Sequence, residues 1–259
     1  MGPGSSDDKE VRVLNRMVSW GEQGLTYEAD PRQYEKLVDE LGLNSAKAVA
    51  TPCVKHTVEE VNKDLALEAT RITHFRGLSA RANYLSADRP DCQYAAKEVC
   101  RWMASPTELG VQDVKRLARY LLGRPRLQYE YRWQQTGTLE VFSDTDWAGC
   151  LRTRKSTSGC CAMLGRHFLK SWSSTQPSIS LFSGEAEMVG VTTATAAGIG
   201  ISSLLKDFGA KYKLRVWTDP TASIGICSRQ GIGTIRHLET RFMWIEQRIR
   251  NEEMDLCWL

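Results

Sequence analysis

Three carboxylates in the second half of the chain, Asp144, Glu187 and Asp219, are the residues whose spacing could do chemistry. Asp144 closes an alternating run in which Leu139 and Val141 are the apolar members, and Asp219 closes another built on Leu214, Val216 and Trp217. If both runs are strands of one sheet, the long helical stretch between them is a crossover, which would be right-handed and leave the strands parallel. Both acids then fall at the carboxyl edge, where open α/β sheets place their sites. Glu187 joins them only if that helix begins over the same edge. Taken singly, each acid is ordinarily structural or solvated, and the helix dipole alone favours Glu185 and Glu187 near a helix start. Three converging carboxylates are different. They would repel one another unless a cation sat between them, and hard oxygen ligands suit Mg2+ or Mn2+.

The elements that must hold these acids follow from the apolar period and the turn residues. Two more strand-like runs, Thr157 to Leu164 and Phe168 to Ser174, are joined by a link short enough for a hairpin, Gly165 to His167. Ser183 is placed to cap a long helix, rich in Ala and Thr, that ends near Gly209. A short helix over 220–229, a longer one over 236–251 and a strand over 254–259 complete the chain. Upstream, residues 1–10 read as a flexible leader. Residues 11–29 read as two strands around the stretch Gly21 to Gly24. A helix follows, with Asp30 as cap, Pro31 in its first position, Gln33 at capping-box spacing and Gly42 as its stop. Residues 44–67 read as a connector. From residue 68 the pattern is helical, broken at Arg89-Pro90-Asp91 and near Pro106. Val111, Val114, Leu117 and Leu121 recur at helical spacing, and Lys115, Arg116 and Arg119 make other sides of that helix cationic.

Composition narrows the function classes. With 42% hydrophobic residues the chain can build cores, and no apolar run approaching the roughly 18 residues of a membrane span is evident, so no membrane partner is expected. Eight cysteines without a C-x-x-C pair, and not clustered with the four histidines, argue against zinc. The absence of a secretory signal points to reduced thiols in the cytoplasm or nucleus. Net charge is only +3, but residues 1–70 carry a balance of −5 and residues 71–137 one of +6. The basic middle would attract a phosphate backbone, because each cation brought to it releases a counterion.

The motifs themselves carry a resemblance. SDTDWAGCLRTRKSTSG, then KSWSSTQPSISLFSGEAE, then VWTDPTASIGI is similar to the ribonuclease H region of copia-type retrotransposon polyproteins, whose pattern runs SDADWAG, RKSTSG, a Ser-rich strand, S-x-E-A-E-Y and a strand ending in Asp-Asn. Upstream, YEADPRQYEKLVDELGL, YLSADRPD and VKRLARYLLGRPRLQYEY resemble the segments that follow the polymerase palm in that family. No Asp-Asp pair in a Tyr-rich hairpin occurs, so the palm is missing and DNA synthesis is not expected of this chain by itself.

The resemblance implies a ribonuclease H-like α/β domain over 138–259, a mixed five-stranded sheet with flanking helices. A mainly helical, thumb- or connection-like region of the reverse transcriptase would precede it over 11–137. Carried over residue by residue, the catalytic acids fall on Asp144, Glu187 and Asp219. Met188 replaces the usual Tyr and Pro220 the usual Asn, and neither change removes a ligand. The implied reaction is two-metal hydrolysis of the RNA strand of an RNA–DNA hybrid, with the polymerase part of the same polyprotein as partner. Arg152, Arg154, Lys155 and Ser156, together with Lys115, Arg116 and Arg119, are candidates for gripping phosphates. A fourth acid is usual on a final helix that the chain does not reach. Either the sequence is truncated or Glu239 substitutes. The rival readings are a non-catalytic nucleic-acid-binding remnant and a host protein that uses the fold as an interaction module.

Overall fold

The computed structural model describes residues 1–219 and 236–258, the side chains of 236–239 and 242 excepted. It divides into two compact units, Met1–Trp133 and Gln134–Leu259.

The first unit opens with three strands where patterning suggests two: β1 (Glu10–Val13), β2 (Arg16–Gly21) and β3 (Gly24–Glu28). The extra turn is Leu14-Asn15, with φ of 48° and 65°. Two consecutive left-handed residues give the tight hairpin turn that matches strand twist, and Leu in the first of them hides the signal. After α1 (Arg32–Glu40), the segment expected as a connector contains α2 (Val58–Lys63). Thr57 and Glu60 form a reciprocal capping box at its start. Helices α3 (Ala69–Ser86), α4 (Gln93–Arg101) and α5 (Glu108–Gly123) follow, and a single 3-10 turn over Pro90–Cys92 marks the expected break. The unit ends in β4 (Gln128–Arg132), which pairs antiparallel with β3 and completes a sheet of order β1-β2-β3-β4. Its alternating QYEYR escapes a reading based on apolar period. The N-cap of α1 is Pro31, not the expected Asp30, which stands one residue earlier and accepts from Arg32 N (3.1 Å), and Gln33 makes no capping box but accepts from Arg81.

Val114, Leu117 and Leu121 are fully buried with Phe75, Leu78 and Leu37 in one core, so the helical stripe read from sequence faces inward. The YLSADRPD segment fastens the sheet to these helices. Asp88 takes a forked ion pair from Arg16 on β2 and the Tyr27 hydroxyl (2.6 Å), and its carbonyl accepts from Tyr129 (2.9 Å). Arg89, 2% exposed, pairs with Asp91, which also accepts from Tyr120 on α5.

The second unit is built from β5 (Thr138–Asp146), β6 (Thr157–Leu164), β7 (His167–Thr175), α6 (Ser183–Asp207), β8 (Lys213–Thr218), α7 (Arg236–Arg250) and β9 (Asp255–Trp258). The sheet order is β7-β6-β5-β8-β9, antiparallel from β7 to β5 and parallel from β5 through β8 to β9. This is the expected ribonuclease H-like arrangement. Leu139, Val141, Leu214 and Val216 are buried against Val191 and Ala194 of α6, each burial contributing roughly 1.5–3 kcal/mol. Gly165 (φ +55°) opens the two-residue hairpin between β6 and β7.

Two sequence expectations change here, and a third cannot be compared. Ser183 is the first residue of α6 rather than its cap. The extended residue before it is Phe182, whose carbonyl accepts from Glu185 N and Ala186 N. Helix α6 is also long and apolar enough to cross a membrane by length and composition, contrary to the expectation that no such run exists. It packs along β5, β6 and β8, which accounts for its apolar character without a bilayer. The helix expected over 220–229 lies outside the described residues.

Candidate active site

The parallel register of β5 and β8 ends at the pair Phe142 and Trp217, whose rings stack at 6.1 Å and 11°. Asp144 lies two residues beyond Phe142, near the end of β5, and Asp219 directly follows β8, two residues beyond Trp217. Both are exposed. The crossover read from sequence therefore brings these two acids to one edge.

Glu187 is half-buried, one turn into α6. Nearly one turn further along, Gly190 lets the helix lie close against β5. A Cβ there would lie 2.5 Å from Thr145 Oγ1 and 3.0 Å from Ser143 Oγ, so only glycine permits the observed approach. Glu185, the neighbouring candidate, is buried at 5% exposure, and its Oε2 accepts from Leu181 N (2.7 Å). That bond ties Glu185 to the helix start.

The set is all carboxylate, the chemistry that hard divalent ions take. Two of the acids lie near the carboxyl ends of neighbouring strands, and the third is one turn into the helix that packs against those strands. By residue type the set fits such an ion. Among the described residues, however, no three acid, histidine or cysteine side chains are gathered closely enough to hold one as they stand. The side chain of Glu239, the candidate substitute for a fourth acid, lies outside the described residues. Cys160, opposite Ser143 on the neighbouring strand β6, has its thiol pushed up to about 11 by burial, which disfavours the nucleophilic thiolate.

The candidate phosphate contacts separate. Arg152 and Arg154 are exposed on the loop between β5 and β6, and Lys155 is half-buried. Ser156 is not on the surface at all. It is fully buried, and its hydroxyl accepts from Ala148 N (3.0 Å), fixing the turn that follows Asp146. On α5, Lys115 is exposed, but Arg116 donates to Thr51 Oγ1 (2.7 Å) and Arg119 to the Lys47 carbonyl (2.8 Å). Those two arginines fasten the preceding segment to the helix. Sequence patterning also misses Gln176, which is 3% exposed and hydrogen-bonded to both β6 and α6. A single polar residue between a Ser-rich strand and a proline leaves no periodic signal.

The sheet and its acid edge define a ribonuclease H-like unit. No family model matches the sequence. The chain is 29% identical over 211 residues to the retrovirus-related Pol polyprotein from transposon RE1 of Arabidopsis thaliana, covering 80% of this chain and 14% of that protein. It is 22% identical over 232 residues to the Pol polyprotein from transposon TNT 1-94 of Nicotiana tabacum, covering 85% and 17%. A solved foamy viral protease-reverse transcriptase in complex with dsDNA shares the fold over 97% of this chain and 44% of its own, at a TM-score of 0.53 and 12% identity. The chain is thus similar over most of its length to retrovirus-related Pol polyproteins of the copia type. It spans about a seventh of the RE1 relative.

Proposed function

We propose that the second unit is a metal-dependent ribonuclease H that hydrolyses the RNA strand of RNA–DNA hybrids. The observation that supports this reading is the parallel pairing of β5 and β8, which leaves Asp144 and Asp219 near the carboxyl ends of neighbouring strands, with α6 packed close to β5 at Gly190. Asp144, Glu187 and Asp219 would hold Mg2+ or Mn2+. Bound ions of this kind activate water for attack on phosphorus and neutralise charge on the leaving oxygen. Arg152 and Arg154, exposed on the loop that follows the Asp144 strand, bind phosphates of the substrate backbone. Discrimination of RNA from DNA requires a 2′-hydroxyl to be read across the wide minor groove.

The first unit is the thumb- or connection-like region. Its basic stretch, Lys115 included, tracks nucleic acid delivered by the polymerase part of the same polyprotein, in the cytoplasm or nucleus. A second reading, a nucleic-acid clamp without turnover, is favoured by the side chains not being gathered. Calorimetric titration with Mn2+ separates the two. The nuclease reading expects binding that Asp144→Asn weakens by roughly tenfold or more, since an anionic ligand is removed. Equal Mn2+ affinity in parent and variant would contradict the site.

A further inference from the structure

Gln176 follows β7 directly and is almost wholly buried. Its backbone N–H donates to the Ser156 carbonyl (2.8 Å). Its side-chain nitrogen donates to Ser158 Oγ (2.9 Å) and to the Ala186 carbonyl (2.7 Å), and its Oε1 accepts from the Ser180 hydroxyl (3.2 Å). Because a carbonyl can only accept, the bond to Ala186 fixes which end of the amide faces the helix. Both side-chain N–H groups are then used, one on strand β6 and the other on the first turn of α6.

The two anchors are next to the candidate acids. Ser158 is the register partner of Thr145, which follows Asp144, and Ala186 precedes Glu187. The Ala186 carbonyl has a second lone pair, so this bond need not compete with the helix ladder. Around it, the seam between helix and sheet is polar: Ser143 and Thr145 lie within 3.0 Å of where a Gly190 Cβ would be. Further along the helix the seam becomes apolar, with Val191 and Ala194 in the core. Apolar packing is non-directional, whereas a hydrogen bond fixes both distance and angle.

We propose that Gln176 is a positioning residue that sets the Glu187 turn of α6 relative to the Asp144 strand, and thereby the affinity of the acid edge for a divalent ion. The inference rests on the proposed metal site, and its test separates the two. Mn2+ is titrated calorimetrically into the whole chain and into Gln176→Met and Gln176→Glu, at a temperature well below each thermal midpoint. Met keeps the length and loses the bonds. Glu keeps the shape but sets an oxygen against the Ala186 carbonyl. Each folded variant should bind Mn2+ roughly tenfold or more weakly than the parent, the range typical of residues that orient metal ligands. Ser158→Ala removes one anchor with little change in packing and should act in the same direction by a smaller factor, which keeps the test decisive if a Gln176 variant fails to fold. Folded variants with parental affinity and only a lower midpoint would reduce Gln176 to a stabilising residue and overturn the inference, leaving the metal site intact. A parent that binds no Mn2+ would overturn the metal site and the inference with it.

Discussion

The acids at the sheet edge and the cations around them obey different rules of legibility. Asp144 and Asp219 can be placed from sequence because each closes an alternating run, and the two strands that carry those runs are parallel neighbours. Glu187 and Glu185 cannot be separated by period, since both fall in the first turns of α6. Burial and the bond to Leu181 N separate them. Ser156 misleads because a serine after Arg and Lys reads as loop surface, whereas its burial depends on a turn eight residues upstream, at Ala148. The cations carry a direct test. Replacing Arg152 and Arg154 with Ala should lower the salt slope of hybrid binding by about 1 for each phosphate that is no longer neutralised. Replacing Ser156 with Ala should leave that slope unchanged and lower the thermal midpoint instead, because the Ala148 N–H is deprived of its acceptor. Lys115→Ala should change the slope without affecting stability. An unaltered slope after removal of both loop arginines would exclude that loop from the interface.

At the scale of elements, the long ones are legible and the short turns are not. Helix α5 and the strands β5 to β8 follow from sustained period, and the Thr57 to Glu60 spacing is the one sequence signal for α2. The Leu14-Asn15 turn escapes because a bulky residue occupies a position that favours glycine or asparagine. Gly190 marks an element-level constraint with no signal of its own in sequence, since any helix tolerates one glycine. Its role appears only where α6 meets β5. Gly190→Ala adds a methyl group 2.5 Å from a Thr145 oxygen, on a short, β-branched side chain with little room to retreat. We expect a loss of about 1–3 kcal/mol by denaturant unfolding, together with weaker Mn2+ binding as the Glu187 turn is pushed outward. A neutral substitution would show that the helix can shift freely and that its start is not fixed.

Across the whole molecule, the paired carboxylates are distributed unevenly between the two units. In the first, hydrogen bonds from Arg126 and Arg32 hold Glu28 and Asp30 below the usual carboxylate range. Burial pushes Asp91 and Glu98 upward, but Arg89 and Lys97 outweigh it and hold both low. Asp113 goes the other way, raised by burial despite His56 and Trp102. Groups with a lowered folded pKa contribute stability above their unfolded pKa, and that contribution disappears as pH falls through the folded value. Five such groups, Glu60 in its capping box included, against one predict that the first unit weakens as pH drops below about 4. Hydrogen exchange followed by mass spectrometry, resolved by segment, should show residues 1–133 opening before 134–219, and the reverse order would contradict this balance. The central claim, that the second unit is a metal-dependent ribonuclease, is tested most directly by single-turnover cleavage with Mg2+ of a hybrid whose RNA strand is labelled, beside matched RNA and DNA duplexes. The parent should cut only the RNA of the hybrid, and Asp144→Asn should be slower by a factor on the order of 10² or more, equivalent to about 3 kcal/mol of transition-state stabilisation. A hybrid left intact by the parent, or cut equally fast by the variant, would contradict the claim.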